Sequence, residues 1–481
     1  MENNLANYKR QGKKLIPPLL TIPNLSLESW TIYRMPEILW AVLVRNKFER
    51  DIALEIFKNI SAFFFQNKDY PNLKPDVTFS GIAQQPDKIR KELIKTISEH
   101  AVGALQPLLL FPELPCYSEW EENIRIDESE QDLWKMLGRS ISSILDSHDT
   151  PATDCRWGRL IPLISMDKLV FALPDRERAK ELFFEYVRYP NYGDQNKVMS
   201  SIRAMEGGLS KADESNADAP WSNNFWKSCF ENTICYPSIK ENGVEIFVVD
   251  KKQIEEIRQS LIFYSNNSIE TTGTDAKHES VFGIGLYALS LLEELVKFSS
   301  HYSISGRLLL RCLAEIYISL SYLVFIDDSE LWKKYRTYGI GQSKLQSHKI
   351  TEYGESVDYV NNDFLELIAN EDQSDKFLEI GLGNWAGENL RKMSEISNTK
   401  QVYDLYFNWT SAYTHGGWGA IRESIYTTCL NPLHRFHQIP CEKINFLPSV
   451  LNDAVKICNS ILKLVEQSYP EVMKQLSINT T

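Results

Sequence analysis

Residues 303–326 read SISGRLLLRCLAEIYISLSYLVFI, and this stretch decides the fold. Apolar side chains recur at every helical spacing, so it predicts a long helix, apolar nearly all round and central to a bundle. Arg311, Glu315 and several serines interrupt it, which argues against a membrane span. Arg307, Arg311 and Glu315 follow one another at spacings of four, along one stripe. Ionised groups in apolar surroundings are costly unless paired. Two readings follow. Either Arg311 and Glu315 form a buried ion pair that fixes helix register, or Arg311 faces a cleft and binds an anion, with Glu315 orienting it or acting as a base.

Further helical patterns lie at about 281–300, 329–347, 358–370, 385–396, 400–414 and 448–468. Short connections between them predict antiparallel neighbours. Toward the N-terminus, Pro36 sits where a first-turn proline belongs, ahead of Trp40 and the apolar run to Val44. Helices are expected at 48–65, 87–104 and 129–147, the last capped by Ser129. Residues 15–27, rich in proline and apolar side chains, read as an extended arm. KLVFA (168–172) and VEIFVV (244–249) each read as a short strand before an aspartate-capped helix, and the two can pair. Residues 207–222 and 265–279 are small and polar and read as loops. The fold class is therefore mainly α. A helical N-terminal domain with a small β element covers 1–206, a loop-rich connection with a strand-helix unit covers 207–280, and an antiparallel bundle covers 281–481.

Two segments add polar groups to Arg307, Arg311 and Glu315. The first, 332–341, offers Tyr335, Arg336 and Tyr338. The second, 403–418, offers Tyr406, Trp409, Ser411 and His415, the last beside Gly416 and Gly417 at a helix C-terminus. The order Arg311-x-x-x-Glu315, a tyrosine-rich helix, then Tyr406, Ser411 and His415 resembles a bacterial family of helical-bundle proteins of unknown function. Those proteins carry an Arg-x-x-x-Glu helix and a late Ser-x-x-x-His helix. The resemblance covers about 281–430. It implies a bundle and an accessory or defence-related role, and no reaction.

The remaining motifs are sparse. No phosphate-cradling glycine loop, His-Glu-x-x-His or Gly-x-Ser-x-Gly occurs. No arginine has a histidine four to six residues later, the spacing of helical ribonucleases of the HEPN type. Gly283-x-Gly285-x-x-Ala288 lacks the strand a dinucleotide fingerprint needs, and reads as close helix packing. His434 and His437 are expected in a surface loop, 431–440, and no metal or other cofactor is expected. Trp221 to Cys235, dense in aromatics, reads as core, with an aromatic partner-binding patch as the alternative. The eight cysteines are scattered without Cys-x-x-Cys spacing, which fits reduced cytoplasmic thiols. The net charge of −12 argues against a chain-wide grip on nucleic acid, and Lys9, Arg10, Lys13 and Lys14 read as a solvated tail.

The expected function is thus an intracellular interaction or regulatory protein, part of a stress or anti-phage module, with a protein partner or a second copy and no membrane. One alternative is a metal-independent hydrolase of RNA or a nucleotide. There His415, Glu315 and Tyr406 would be catalytic, and Arg311, Arg307, Tyr335, Tyr338 and Ser411 would bind. The other is a sensor of a small anion at the same residues.

Overall fold

A computed structural model describes residues 9–16, 29–169, 176–188, 195–212, 220–238, 247–354, 358–369, 384–442, 446–470 and 478–480. The protein is mainly α-helical. Among the described residues its β structure comprises two small two-stranded antiparallel sheets and an isolated bridge. Contacts divide the chain into two units. One comprises residues 1–237 with 429–437, and the other 238–428 with 438–481.

The first unit is organised around the Thr150–Ser165 helix, TPATDCRWGRLIPLIS. The sequence patterns did not mark this helix, because Pro162 lies inside it and three charged residues interrupt its apolar run. Asp149 caps it, accepting from the Ala152 amide. It packs against Leu39–Lys47, Arg50–Gln66 and Gln195–Ala212, so it is covered on most sides. Gly158 is required there, since a Cβ would lie 2.9 Å from the Phe57 ring. Trp40, edge-on to Phe57, is fully buried and donates its indole N–H to the Val77 carbonyl at 2.8 Å.

The charges of this helix point into the packing. Asp154 accepts from Arg45 at 2.8 Å, from Arg50 at 3.1 Å and from the Tyr186 hydroxyl at 2.7 Å. Glu206, on the Gln195–Ala212 helix, accepts from Arg34 and Arg159, each at 2.7 Å, with Arg156 Nε at 3.6 Å. Arg156 also lies over the Trp30 ring and donates to the Ser147 carbonyl. Both carboxylates are wholly enclosed, each by more than one arginine.

The core of the second unit is formed by Ala276–Lys297, Ile304–Ile326 and Leu451–Ser468, with Lys251–Asn267 and Ser329–Tyr353 packed on the first of these. Short connections link Lys251–Asn267 and Ile304–Ile326 to Ala276–Lys297, on which both pack. Gly285 packs closely on Val465 and Leu261 in the middle of a helix, and Ala288 is buried, whereas Gly283 faces open space. Gly306 is needed because a Cβ would meet the Ser300 carbonyl at 2.6 Å. Among the described residues, one helix, Ile304–Ile326, is long and apolar enough to cross a membrane, and half of its apolar window is buried inside the unit.

The structure revises several expectations. The Gln195–Ala212 helix runs through Gly207 and Gly208, where a loop was expected. Its glycines cost helix propensity, and packing on Thr150–Ser165 overrides that cost. The second expected loop is shorter, with helices reaching Asn267 and resuming at Ala276 behind the Asp275 cap. Lys9–Gln11 and Lys14–Ile16 form an exposed hairpin instead of a tail. The expected strands at 168–172 and 244–249, and most of the arm at 15–27, lie outside the described residues. The parts that are described, 168–169 and 247–249, are not strands, although Asp250 caps its helix as expected. A short helix, Trp418–Ile425, follows His415 without having been expected. The observed small β element of the second unit is Tyr426–Thr428 paired with Gln438–Pro440.

Candidate functional site

On the Ile304–Ile326 helix the three charged residues have different surroundings. Glu315 is exposed. Arg311 is half-buried, stacked 3.9 Å from the centre of the Phe407 ring, and donates to the Phe407 carbonyl at 3.2 Å. Among the described residues, Arg311 and Glu315 form no ion pair, so the expected buried pair is not present. Two features explain this. Glu315 faces water, where an ion pair contributes little. The chain also opens into a π-helical turn at Tyr403–Phe407, which brings the Phe407 ring and carbonyl to the guanidinium.

Arg307 is buried and ties backbone together. Its Nη1 donates to the His301 carbonyl at 3.1 Å and its Nη2 to the Pro448 carbonyl at 2.6 Å. Its guanidinium lies 6.0 Å from the Tyr413 ring, and the Tyr413 hydroxyl donates to Glu423. Burial and the Glu423 carboxylate push the Tyr413 hydroxyl up to about 12. Tyr406 donates to Asp453 at 3.0 Å, and burial together with that carboxylate pushes it up to about 12 as well. Tyr406 lines a small cavity with Gln401, Lys456 and Ser460. Tyr335 is half-buried, edge-on to Trp385 at 5.0 Å. Tyr338 and Ser411 are half-buried.

His415 is exposed and caps the C-terminus of Asn408–Thr414, its amide donating to the Ser411 carbonyl. Its ring makes no hydrogen bond to Arg311, Glu315 or Tyr406 among the described residues. The structure therefore brings Arg307, Tyr413 and Glu423 together, and Tyr406 with Asp453. It leaves Arg311, Glu315 and His415 in separate surroundings. Tyr413, Glu423 and Asp453 were not singled out from sequence.

His301 adds a pH dependence to this region. It is buried, its Nδ1 is 2.9 Å from the Ser449 hydroxyl, and burial, with Arg307 nearby, lowers its pKa below the ordinary 6.5. The native state favours the neutral ring. The stability this residue supplies is complete above 6.5 and is lost as pH falls below it, through the lowered folded value. Urea midpoints from about pH 5 to about pH 7 should therefore fall on acidification, and fall less in His301→Gln. Parallel curves for the two proteins would contradict this assignment.

Within the first unit a second cluster stands out, and its two histidines lie in the segment expected to be a surface loop. Cys235, Cys429, His434 and His437 place one ligand atom each within 4.8 Å of all the others. Cys235 Sγ is 3.5 Å from His434 Nδ1 and 3.3 Å from His437 Nε2, and Cys429 Sγ is 3.4 Å from His434 Nδ1. Cys429 and His434 are buried, so 431–440 is not wholly a surface loop. The segment folds this way for local reasons. Asn431 caps the short Pro432–His434 turn, and Arg435 and Phe436, both at positive φ, reverse the chain so that His437 returns beside His434. Cys429 donates its amide to the His437 carbonyl, and Leu430 donates to Tyr236, which sets Cys235 on the other side. Phe230 packs on both imidazoles at 4.9 and 5.1 Å. Sequence did hold part of this signal, since Cys429-x4-His434-x2-His437 puts three potential ligands within nine residues. The fourth comes only with the fold.

Residues 290–429 match a family of unknown function (DUF5677). No curated protein and no solved structure matches the chain. The family match covers the C-terminal stretch on which the Arg311, Glu315, Ser411 and His415 resemblance rests.

Proposed function

We propose that this is an interaction or regulatory protein whose second unit binds a protein through the helices that follow the π turn. The observation that carries this reading is the pair of exposed indoles, Trp409 at 67% and Trp418 at 61%. Leu405 and Trp409 share one helical face at a spacing of four, and Trp418, Ile421 and Ile425 share another. Exposed tryptophans forgo a large burial energy, and they are enriched among the residues that dominate protein interfaces. The helices carrying them pack on each other through a tight Gly416–Gly417 turn. A cytoplasmic setting, and a place in a bacterial stress or anti-phage module, are part of the same proposal. The first rests on the cysteine usage and the second on the family resemblance.

The hydrolase alternative asks Arg311, Glu315, Tyr406 and His415 to share one reacting centre, and the sensor alternative asks Arg311 and Arg307 to be available to an anion. Arg311 is engaged by Phe407 and Arg307 by backbone carbonyls. Neither alternative has a comparable observation in its favour.

The test is association of the full chain by sedimentation velocity and by affinity capture. Wild type is expected to form a defined complex, with itself or with one stoichiometric protein, and Trp409→Ala/Trp418→Ala to lose it. Both positions are exposed, so the double variant should keep its stability within about 0.5 kcal/mol. A wild-type chain that stays monomeric and unaccompanied at concentrations of tens of micromolar would sink the proposal.

A further inference from the structure

We infer that Cys235, Cys429, His434 and His437 form a structural zinc site in the first unit. The argument starts from distances. Tetrahedral zinc holds sulfur at about 2.3 Å and nitrogen at about 2.0–2.1 Å, so neighbouring sulfur and nitrogen ligands stand about 3.5 Å apart. Three of the four sulfur–nitrogen distances here are 3.5, 3.3 and 3.4 Å, and all four ligand atoms lie within 4.8 Å of one another. Two thiolates and two imidazoles are the soft and borderline donors that favour zinc over magnesium or calcium. When Zn²⁺ binds, the two thiols release their protons to solvent. The resulting Zn²⁺, two thiolates and two neutral rings carry no net charge, which suits a partly buried place. Four protein ligands leave no open position, so the site serves structure and not catalysis.

The groups behind the ligands are arranged for the same purpose. Thr233 donates its hydroxyl proton to the Cys229 carbonyl at 2.6 Å. Its oxygen therefore accepts from His434 Nε2 at 2.8 Å, which makes Nε2 the protonated nitrogen. In the neutral ring, Nδ1 then presents its lone pair toward both sulfurs. Asn431 donates to the same hydroxyl and to the Ile234 carbonyl, tying the two ligand-bearing segments together. The Tyr236 amide donates to Cys429 Sγ at 3.4 Å, a bond that favours thiolate over thiol. Simple packing of four small polar side chains requires no such fixed tautomer. Cys235 and His434 are 199 positions apart, so the metal would close a very long chain loop.

The test uses the full chain, purified without added metal, assayed for zinc by mass spectrometry of the elements and then stripped and titrated with Co²⁺. The expected result is one zinc per chain. One Co²⁺ per chain should give the strong visible bands and sulfur charge-transfer absorption of a tetrahedral thiolate–imidazole site. Cys235→Ser and His437→Ala should abolish those bands, and Cys312→Ser, exposed on another helix, should leave them unchanged. Thr233→Val keeps all four ligands and should weaken zinc affinity about 10–100-fold, so it reports on the site even if a ligand variant fails to fold. Three results would overturn the inference. They are a folded wild-type chain that binds no Co²⁺ tetrahedrally, bands that persist in Cys235→Ser, and an intact mass showing a Cys235–Cys429 disulfide in the native protein.

Discussion

Replacing Glu206 by glutamine lowers the stability of the first unit by about 3–5 kcal/mol, the cost of breaking a buried ion pair from one side. The carboxylate is wholly enclosed and stands against three guanidiniums, Arg34, Arg156 and Arg159. Glutamine keeps the volume and loses the charge. The three arginines then share one enclosed region without a counterion there. Arg156 cannot swing out to water cheaply, since it is buried against the Trp30 ring and held by the Ser147 carbonyl. Burial already holds Arg156 well below the ordinary arginine range, at about 10. Denaturant unfolding, followed by a probe in the first unit, measures the loss. Removing one cation as well, in Glu206→Gln/Arg159→Met, should recover part of it, because the two sites are in contact and their effects are not additive. A Glu206→Gln protein within 1 kcal/mol of wild type would show that the cluster is open to solvent and counterions.

The second large effect concerns Arg307. Arg307→Lys should destabilise the second unit by about 2–4 kcal/mol, since each buried acceptor left without a donor costs about 1–3 kcal/mol. The guanidinium reaches the His301 carbonyl with one nitrogen and the Pro448 carbonyl with the other. It thereby joins the start of the Ile304–Ile326 helix to the segment leading into Leu451–Ser468. An ammonium keeps the charge but lacks the planar fork, so it serves one carbonyl at a time. The measurement also separates two roles for this residue. An arginine kept for an anion would lose binding and little stability on conversion to lysine. One kept for its carbonyls loses stability, as the geometry requires. A thermal melt unchanged by the substitution would return Arg307 to the list of ligand-binding candidates.

Where the sequence was legible, the signals were local. Ser129 caps its helix by accepting from the Asp132 amide, and Pro36 opens a short helical turn, as their positions implied. The apolar 303–326 stretch is a long helix packed against Ala276–Lys297, Leu451–Ser468, Leu390–Ile396, Asn408–Thr414 and the π turn. The Thr150–Ser165 helix was hidden because its proline and charges are tolerated only by tertiary partners, namely Phe57 over Gly158 and the arginines around Asp154. The site residues fared differently for the same reason. Spacing places Arg311 and Glu315 on one stripe, but it does not say that Phe407 will cover one and water the other. A π turn and a long-range ring contact are settled by packing, which no periodicity records. Cys235 likewise comes near His434 only because Leu430 donates to the Tyr236 carbonyl and Cys429 forms an isolated bridge with Pro237.

The division of the chain has a bearing on how the protein is made. Residues 429–437 belong to the first unit, yet the whole stretch 238–428 is synthesised before them. At about 5–20 residues per second, a ribosome takes roughly 10–40 seconds over such an interval. Throughout that time the first unit has its α-helices but lacks the Cys429 bridge and the Pro432–His434 turn. Phe230 and Thr233 wait without the imidazoles they will contact. The second unit is itself unfinished then, because the Leu451–Ser468 helix of its core emerges later still. The first unit is therefore completed only after most of the second has been made, and the second is completed later, once Leu451–Ser468 has emerged.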